Sequence, residues 1–217
     1  MSADLAVVVL GAGGATGRRV VAEALHAGHR VTATARDPDR LRSLLAADDL
    51  PSRPVVVRAD VTDETSLDAA IDGHDVVVSA VGPPGRRADG LYSAGARATV
   101  AAMDRCGVDR FVGVTSAGVR RDDPELALWY RLLVRPLLRE LYDDMIAMEA
   151  VVTAGELDWT LVRPVLLLDR DATDRYRVDD AATPPHGRSI TRGDVARFIV
   201  TELRDRRWSR RRPTIAH

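Results

Sequence analysis

The chain has 217 residues, 46% hydrophobic and 29% charged, which is enough for one sizeable core and favours a single domain over 1–217. Its formal net charge of −1 argues against nonspecific nucleic-acid binding, and its single cysteine excludes an internal disulfide. No apolar run approaches membrane-spanning length, so we expect a cytoplasmic protein without a nucleic-acid or membrane partner.

The first two predicted elements are a strand over 5–10 and a helix over 15–27, joined by a glycine-rich turn. Gly11, Gly14 and Gly17 give the spacing GxxGxxG. At a dinucleotide site, such glycines allow a tight turn, close approach of a pyrophosphate, and contact between helix and strand. The start of the helix also offers unpaired N–H groups and a partial positive charge to that pyrophosphate. This turn therefore predicts a bound dinucleotide.

The second predicted strand ends in the sequence Arg36-Asp37-Pro38, which bears on the choice of cofactor. An NAD site usually has a carboxylate about twenty residues beyond the glycines, where it holds the ribose 2′-OH. Arg36 stands at that distance instead, and a guanidinium can bind a 2′-phosphate with two hydrogen bonds. Asp37 could read the ribose, or could cap the next helix with Pro38 at its first position. We predict NADP(H) rather than NAD, the alternative being that Arg36 is a solvated surface charge.

The third and fourth predicted strands end in residues suited to the adenosine half of a dinucleotide. Asp60 can accept a hydrogen bond from an adenine amino group, with the Val61 amide beside it, or it can cap the following turn. Ala80, Val81 and Gly82 are small enough to let the backbone approach the ribose and pyrophosphate, or they form a plain turn.

The fifth and sixth predicted strands end in candidates for the nicotinamide half. Ser116 can hydrogen-bond the carboxamide or a substrate carbonyl, although serine at a strand end is commonly a turn hydroxyl. Backbone groups at Pro164 and Val165 can face the carboxamide. For Arg163 we expect a structural ion pair with a neighbouring carboxylate.

Strands and helices alternate along most of the chain. The predicted strands are 5–10, 30–35, 54–59, 75–80, 110–115 and 158–163, and the helices between them are 15–27, 38–47, 64–72, 89–106 and 137–154. A helix near 192–205 and a strand around 213–216 follow. This order predicts an α/β fold of the Rossmann type, a doubly wound parallel sheet with helices on both faces and strand order 3-2-1-4-5-6.

Two segments interrupt the alternation, 118–135 and 169–188. Both follow the carboxyl ends of parallel strands, where open α/β sheets bind ligands, so they are predicted to form the walls of the substrate site, the latter as part of a small C-terminal substrate region. The alternative for the first segment is ordinary core packing of its apolar residues, Leu126, Leu128, Trp129, Leu132 and Leu133. The alternative for 169–188 is a solvated loop.

The segments GAGGATGRR, TATARDP, RADVTD, SAVGPPG, VTSAG and LDWTLVRP, in this order, resemble the atypical short-chain dehydrogenases/reductases with an NAD(P)H-binding domain. Residues 142–148 resemble the matching stretch of the NADPH-dependent biliverdin IXβ and flavin reductases. The resemblance implies that Arg36 binds the 2′-phosphate, that Asp60 and Val61 contact adenine, and that Ser116 lies beside the nicotinamide. It also implies a set of pyrophosphate contacts, namely Gly11, Gly14, Ala15, Thr16, Gly17 and Arg18.

The chain departs from the wider superfamily in its catalytic residues. Standard members use Tyr-x-x-x-Lys, but Tyr142 is followed four residues later by Ile146, and the chain contains no lysine. Tyr142 is therefore a weak catalytic candidate. We predict hydride transfer from NADPH to a planar conjugated acceptor, such as a flavin, quinone or tetrapyrrole, by juxtaposition. The alternatives are a non-catalytic NADP-binding sensor, similar to the NmrA-like regulators, and an NAD(P)-dependent isomerase or epimerase.

Other classes of site lack the necessary residues. The five histidines are scattered without metal-ligand spacing, so we predict no metal site, and no GxSxG elbow supports serine hydrolase chemistry. Tyr142, Asp143, Asp144 and Glu149 share one predicted helix, where a solvated face is the simplest interpretation. We expect a small-molecule substrate and a monomer or homodimer.

Overall fold

The computed structural model describes residues 4–125, 130–180 and 182–217, except for the side chain of residue 131. Its strands are β1 Ala6–Leu10, β2 Arg30–Ala35, β3 Val55–Arg58, β4 Val76–Ser79, β5 Arg110–Val114, β6 Asp158–Pro164, β7 Leu166–Leu168, β8 Arg177–Asp179, β9 Ser189–Thr191 and β10 Thr214–Ala216. Its α-helices are α1 Ala15–His26, α2 Pro38–Ala46, α3 Glu64–Ile71, α4 Leu91–Cys106, α5 Arg135–Leu137, α6 Arg139–Thr153 and α7 Arg192–Asp205. A 3₁₀ turn covers Ala117–Val119 and a π-helical turn covers Tyr130–Val134.

The main sheet has the strand order β3-β2-β1-β4-β5-β6-β10-β8. The first six strands are parallel, which confirms the predicted Rossmann-type fold and its order 3-2-1-4-5-6. β10 continues the sheet parallel to β6, and β8 closes the edge antiparallel to β10. β7 and β9 form a separate two-stranded sheet that the sequence did not predict.

Helices cover both faces of this sheet, and β1 shows why. Val7 and Val9 pack into the core beneath α1 and α7, while Val8 and Leu10 face the core beneath α3, α4 and α6. All four side chains are inaccessible to solvent. A parallel strand buried on both faces accounts for the unbroken apolar sequence of β1.

The helix predicted over 137–154 is divided in the structure. A short helix, α5, contains Pro136 at its second position, and α6 starts only after Leu138, whose φ of −104° and ψ of 16° interrupt the helix. Pro136 stands in the first turn of α5, where a missing N–H is tolerated, so the interruption comes from the backbone of Leu138 and not from the proline.

The two predicted insertions differ in the structure. Within 118–135, residues 126–129 lie outside the described residues, and Leu132 and Leu133 are exposed rather than packed in the core. Within 169–188, the chain forms β8 and is fixed at Thr173, whose N–H and hydroxyl donate to the buried carboxylate of Asp194 at 2.8 and 2.9 Å. The second segment is therefore more than a solvated loop.

Asp194 holds this segment against the start of α7 and the end of the chain. Burial of the carboxylate opposes its ionisation, but hydrogen bonds from His217, Thr191 and the backbone around Thr173 lower its pKa to about 2. His217 Nε2 lies 2.8 Å from the carboxylate, and the Thr191 hydroxyl lies at 2.7 Å.

The stability supplied by Asp194 should depend on pH. Because its pKa is lower in the folded chain, its contribution is complete above about pH 4 and is lost as the pH falls towards 2. We expect the difference in unfolding free energy between wild type and Asp194→Asn to shrink by on the order of 2 kcal/mol between pH 5 and pH 2. Urea denaturation at the two pH values measures it, with Asp205→Asn, an exposed carboxylate, as control. A pH-independent difference would contradict the assignment.

Candidate functional site

The glycine turn after β1 is shaped by close backbone contacts. Gly11 has φ +76°, and a Cβ there would lie 2.8 Å from the carbonyl oxygen of Ala80 at the end of β4. A Cβ on Gly17 would lie 2.3 Å from the carbonyl oxygen of Gly11. At Gly14 the nearest atom would be 3.4 Å away, so the fold itself does not require a glycine there. That pattern fits a turn in which the middle glycine leaves room for a ligand.

A cavity of about 400 Å³ opens beside this turn, at the carboxyl ends of β1, β2 and β4. It brings together many of the predicted cofactor contacts, namely Gly11, Gly14, Arg36, Asp60, Val61, Ala80, Val81 and Gly82. Apolar side chains from α2 and α4, Leu41, Leu44 and Leu91, complete its wall. A cleft of this size, mostly apolar and with a few polar groups, is typical of a small-molecule site.

The other predicted pyrophosphate contacts lie on the first turn of α1, outside the wall of that cavity. Ala15, Thr16 and Gly17 begin the helix, and no side chain caps its N-terminus. Arg18 approaches a carboxylate instead, with its Nε 3.9 Å from Asp48. The uncapped turn leaves N–H groups able to bind an anion.

Arg36 and Asp37, which follow β2, make different contacts. The carboxylate of Asp37 accepts a hydrogen bond of 3.0 Å from the Arg40 N–H and caps α2, with Pro38 following. Arg36 has no ion-pair partner among the described residues. Arg40, in the first turn of α2, lines the same cavity, and it too lacks an ion pair in the described part of the chain. Sequence reasoning overlooked Arg40, although the predicted helix start at Asp37-Pro38 placed it in the first helical turn after Arg36.

Asp60 both caps a turn and borders the cavity. Its Oδ1 accepts hydrogen bonds from the N–H and hydroxyl of Thr62, at 3.0 and 2.8 Å. These bonds lower the pKa of Asp60, and the nearby charges of Arg36 and Arg58 lower it further. The carboxylate is therefore ionised at neutral pH. The turn-capping interpretation holds, and contact with adenine stays a prediction.

Ser116 and the end of β6 occupy neighbouring strand ends outside the cavity. The Ser116 hydroxyl accepts a hydrogen bond of 3.1 Å from the Gly118 N–H and caps the 3₁₀ turn. Pro164 ends β6, and the N–H of Val165 donates to the carbonyl oxygen of Ile215 at 3.4 Å. Because β5 and β6 are adjacent, these residues share the sheet edge where a nicotinamide is predicted.

Tyr142 is buried rather than solvated, which corrects the interpretation of its helix face. Its side chain is 4% exposed and packs against Gly118, where a Cβ would lie 2.5 Å from the ring. Its hydroxyl is in hydrogen-bond contact with that of Tyr130. Burial and this contact raise the pKa of Tyr130, so Tyr130 offers no ready phenolate at neutral pH.

Glu149 is also buried, whereas we expected it on a solvated helix face. It is 5% exposed and forms an ion pair with Arg163, whose Nε lies 3.0 Å from Oε1. The Thr115 hydroxyl donates to the same oxygen at 3.0 Å, and Arg212 lies 3.3 Å from the other oxygen. The expected structural ion pair of Arg163 is present, and it fixes the strand ends that carry Ser116 and Pro164.

The described ranges contain neither a candidate metal cluster nor a candidate membrane span. No group of three or more His, Cys, Asp or Glu side chains there could hold a metal ion. None of the described helices has the length and apolar character needed to cross a membrane.

Residues 11–206 match a family model described as NAD(P)H-binding. An uncharacterized chloroplastic protein of Arabidopsis thaliana is 30% identical over 203 residues, covering 91% of this chain and 71% of that protein. Cinnamoyl-CoA reductase 1 of Oryza sativa subsp. japonica is 37% identical over 122 residues. That match covers 54% of this chain and 36% of the rice protein, so the chain spans only part of that relative.

Solved structures with the same fold cover nearly the whole chain. A putative exported protein from Burkholderia pseudomallei has a TM-score of 0.77 at 30% identity, covering 98% of this chain and all of that chain. An anaerobilin reductase from Escherichia coli O157:H7 has a TM-score of 0.78 at 22% identity, with 97% and 96% covered. A short-chain dehydrogenase/reductase from Veillonella parvula in complex with NADP has a TM-score of 0.83 at 16% identity, with 98% and 94% covered.

Proposed function

We propose that this chain, which belongs to the NAD(P)H-binding family, is an NADPH-dependent reductase that transfers hydride to a planar conjugated acceptor. The observation that carries the cofactor choice is the end of β2. There Asp37 is engaged in capping α2, whereas Arg36 and Arg40 border the cavity and form no ion pair in the described ranges. Two guanidinium groups fit a 2′-phosphate better than a ribose hydroxyl. The Veillonella structure with NADP bound shares this fold.

The residues present fit NADPH along the sheet edge. The glycine turn would receive the pyrophosphate against bare backbone, and the uncapped first turn of α1 would donate N–H groups to it. Asp60 and the apolar wall from α2 and α4 would hold the adenosine. NADPH, when bound, supplies the hydride. Ser116 would orient the carboxamide or the acceptor at the end of β5.

The nature of the acceptor follows from what the site lacks. The chain has no lysine, and Tyr142 is buried against Gly118, so the Tyr–Lys pair that protonates an alkoxide in standard members has no counterpart here. A conjugated acceptor spreads the charge that the hydride brings and can take its proton from water. Such a reaction needs orientation more than acid–base catalysis. The fold shared with an anaerobilin reductase is compatible with this chemistry.

The proposed function is tested by following NADPH oxidation with flavin, quinone and tetrapyrrole acceptors. We expect turnover with at least one of them, and slower turnover with NADH. Tight NADPH binding without oxidation by any of these acceptors would contradict the proposal and favour an NADP-binding sensor.

Ser116→Ala should slow hydride transfer without abolishing it. If Ser116 orients one group, losing its hydrogen bond costs on the order of 1–2 kcal/mol of transition-state stabilisation, a rate drop of roughly five- to thirtyfold. Single-turnover measurement of NADPH oxidation gives this rate. A drop of several thousandfold, with NADPH affinity intact, would instead make Ser116 an indispensable proton donor.

Tyr142→Phe should change turnover less than Ser116→Ala, because the Tyr142 hydroxyl contacts Tyr130 within the protein. We expect kcat to fall by less than about fivefold, the equivalent of about 1 kcal/mol. Steady-state kinetics test this, and thermal unfolding checks that the phenol pair is not needed for folding. A collapse of kcat in a folded, NADPH-binding variant would restore carbonyl reduction as the leading chemistry.

A further inference from the structure

A second, larger depression lies between α6, β6 and the segment that precedes β10. Its volume is about 800 Å³, roughly twice that of the cofactor cavity. The arginines that line it are Arg120, Arg121, Arg163, Arg210, Arg211 and Arg212. We call it the arginine groove.

Positive charge is in excess along this groove. Six guanidinium groups line it against three carboxylates, those of Asp122, Glu149 and Asp180. Glu149 is buried and is shared by Arg163 and Arg212, so one carboxylate serves two cations. At the rim, Asp143 pairs with Arg121 and Glu156 pairs with Arg210, two of the same six arginines, but both carboxylates are substantially exposed.

The ion pairs of Arg120 and Arg211 leave some of their N–H donors for a ligand. Arg120 bonds Asp122 through Nε at 3.3 Å, and Arg211 bonds Asp180 through Nη1 at 2.8 Å. A guanidinium has five N–H donors, so each of these arginines keeps an edge for a carboxylate or phosphate. Exposed ion pairs contribute little to stability, so an incoming anion can compete with them.

The groove begins next to the predicted nicotinamide position. Ser116 is followed by the 3₁₀ turn, and Arg120 at the far end of that turn lies on the groove wall, about 8 Å along the chain at about 2 Å per residue. On α6, Ile146 and Ala150 line the groove one and two turns beyond Tyr142, on the same helical face. An acceptor at Ser116 could therefore extend a flexible arm into the groove.

Resting on the proposed function, we propose that the arginine groove binds the anionic group, a carboxylate or phosphate, carried on a side arm of the hydride acceptor. The flat ring would lie at Ser116 and the anion would reach Arg120 and Arg211. Neutral quinones would leave the groove unused, so the site selects acceptors that carry a charged arm.

Riboflavin and FMN test this directly, because they share one ring system and differ in a phosphate. We expect wild type to have a KM for FMN at least tenfold below that for riboflavin. The double variant Arg120→Gln/Arg211→Gln should raise the KM for FMN towards the riboflavin value. Its kcat and its KM for NADPH and riboflavin should not change. Arg207→Gln, an exposed arginine outside the groove, is the matched control.

Equilibrium binding distinguishes an error in the assignment of the groove from an error in the proposed reductase activity. Flavin fluorescence measures the affinity of both compounds for the protein with NADP⁺ present, and thermal unfolding confirms that the variants fold. Tighter binding of FMN that the double variant abolishes supports the groove even if no NADPH is consumed, in which case the proposed function fails. Equal affinity for the two flavins, binding of neither, or an equal loss of both in the variant would overturn the groove assignment.

Discussion

Arg36→Ala is expected to weaken NADPH binding by about ten- to a hundredfold while leaving NADH binding nearly unchanged. The lost contact is a bidentate bond between a guanidinium and the 2′-phosphate, which is worth on the order of 1.5–3 kcal/mol. Arg36 has no ion-pair partner in the described part of the chain, so its removal should cost little stability. Titration of each cofactor by fluorescence gives the two dissociation constants.

Two further variants sharpen the test of cofactor choice. Arg40→Ala should weaken NADPH selectively as well, because Arg40 borders the same cavity. Asp37→Asn should leave the preference for NADPH unchanged, since the Asp37 carboxylate caps α2. Tighter binding of NADH than of NADPH by the wild type, or equal losses of both in Arg36→Ala, would mean that Asp37 reads the ribose and that the cofactor is NAD.

Gly17→Ala should weaken NADPH and NADH equally, in contrast to the change at Arg36. The new Cβ would lie 2.3 Å from the Gly11 carbonyl oxygen and 2.9 Å from the Ala12 Cα, both backbone atoms of the glycine turn after β1, where we predict the pyrophosphate. Relief of this overlap must shift the turn or α1, at a cost of about 1–3 kcal/mol. We therefore expect a loss of tenfold or more in affinity for both cofactors and a lower melting temperature.

Gly155→Ala is the control for that substitution, because a Cβ at Gly155 meets no atom within 4 Å. It should leave cofactor affinity at the wild-type value. If Gly17→Ala bound both dinucleotides normally, the turn after β1 would not be the pyrophosphate site, whatever its glycine spacing.

The six parallel strands could be predicted because each has an apolar or alternating run bounded by turn residues, which is buried throughout in β1 and β4 and only in part in β2 and β3. β7, β8 and β9 have only three residues each, too few for a periodic pattern to emerge. Their positions depend on pairing with distant segments, as when β8 joins β10. Local sequence carries no signal for such partners.

The candidate site was predictable where backbone shape determines it and less so where side chains pair at a distance. Gly11 and Gly17 have no side chain, which already indicates in the sequence that another part of the backbone comes close to them. In the sequence, Glu149 looks like an ordinary surface carboxylate of a polar helix. Only the fold shows that it is buried against Thr115 and Arg163. Tyr142 was misread as solvent-facing for the same reason, because its neighbour Gly118 is 24 residues away in sequence.

The place of β10 in the sheet sets an order of events during biosynthesis. β10 lies between β6 and β8, so the strand at the sheet edge has no neighbour to pair with until residues 214–216 have left the ribosome. The six parallel strands, by contrast, are all available once β6 has emerged, although α7 must follow before one face of the sheet is covered. We therefore expect a nascent chain to form the cavity beside the glycine turn first and to order the 169–188 segment last, after synthesis reaches β10.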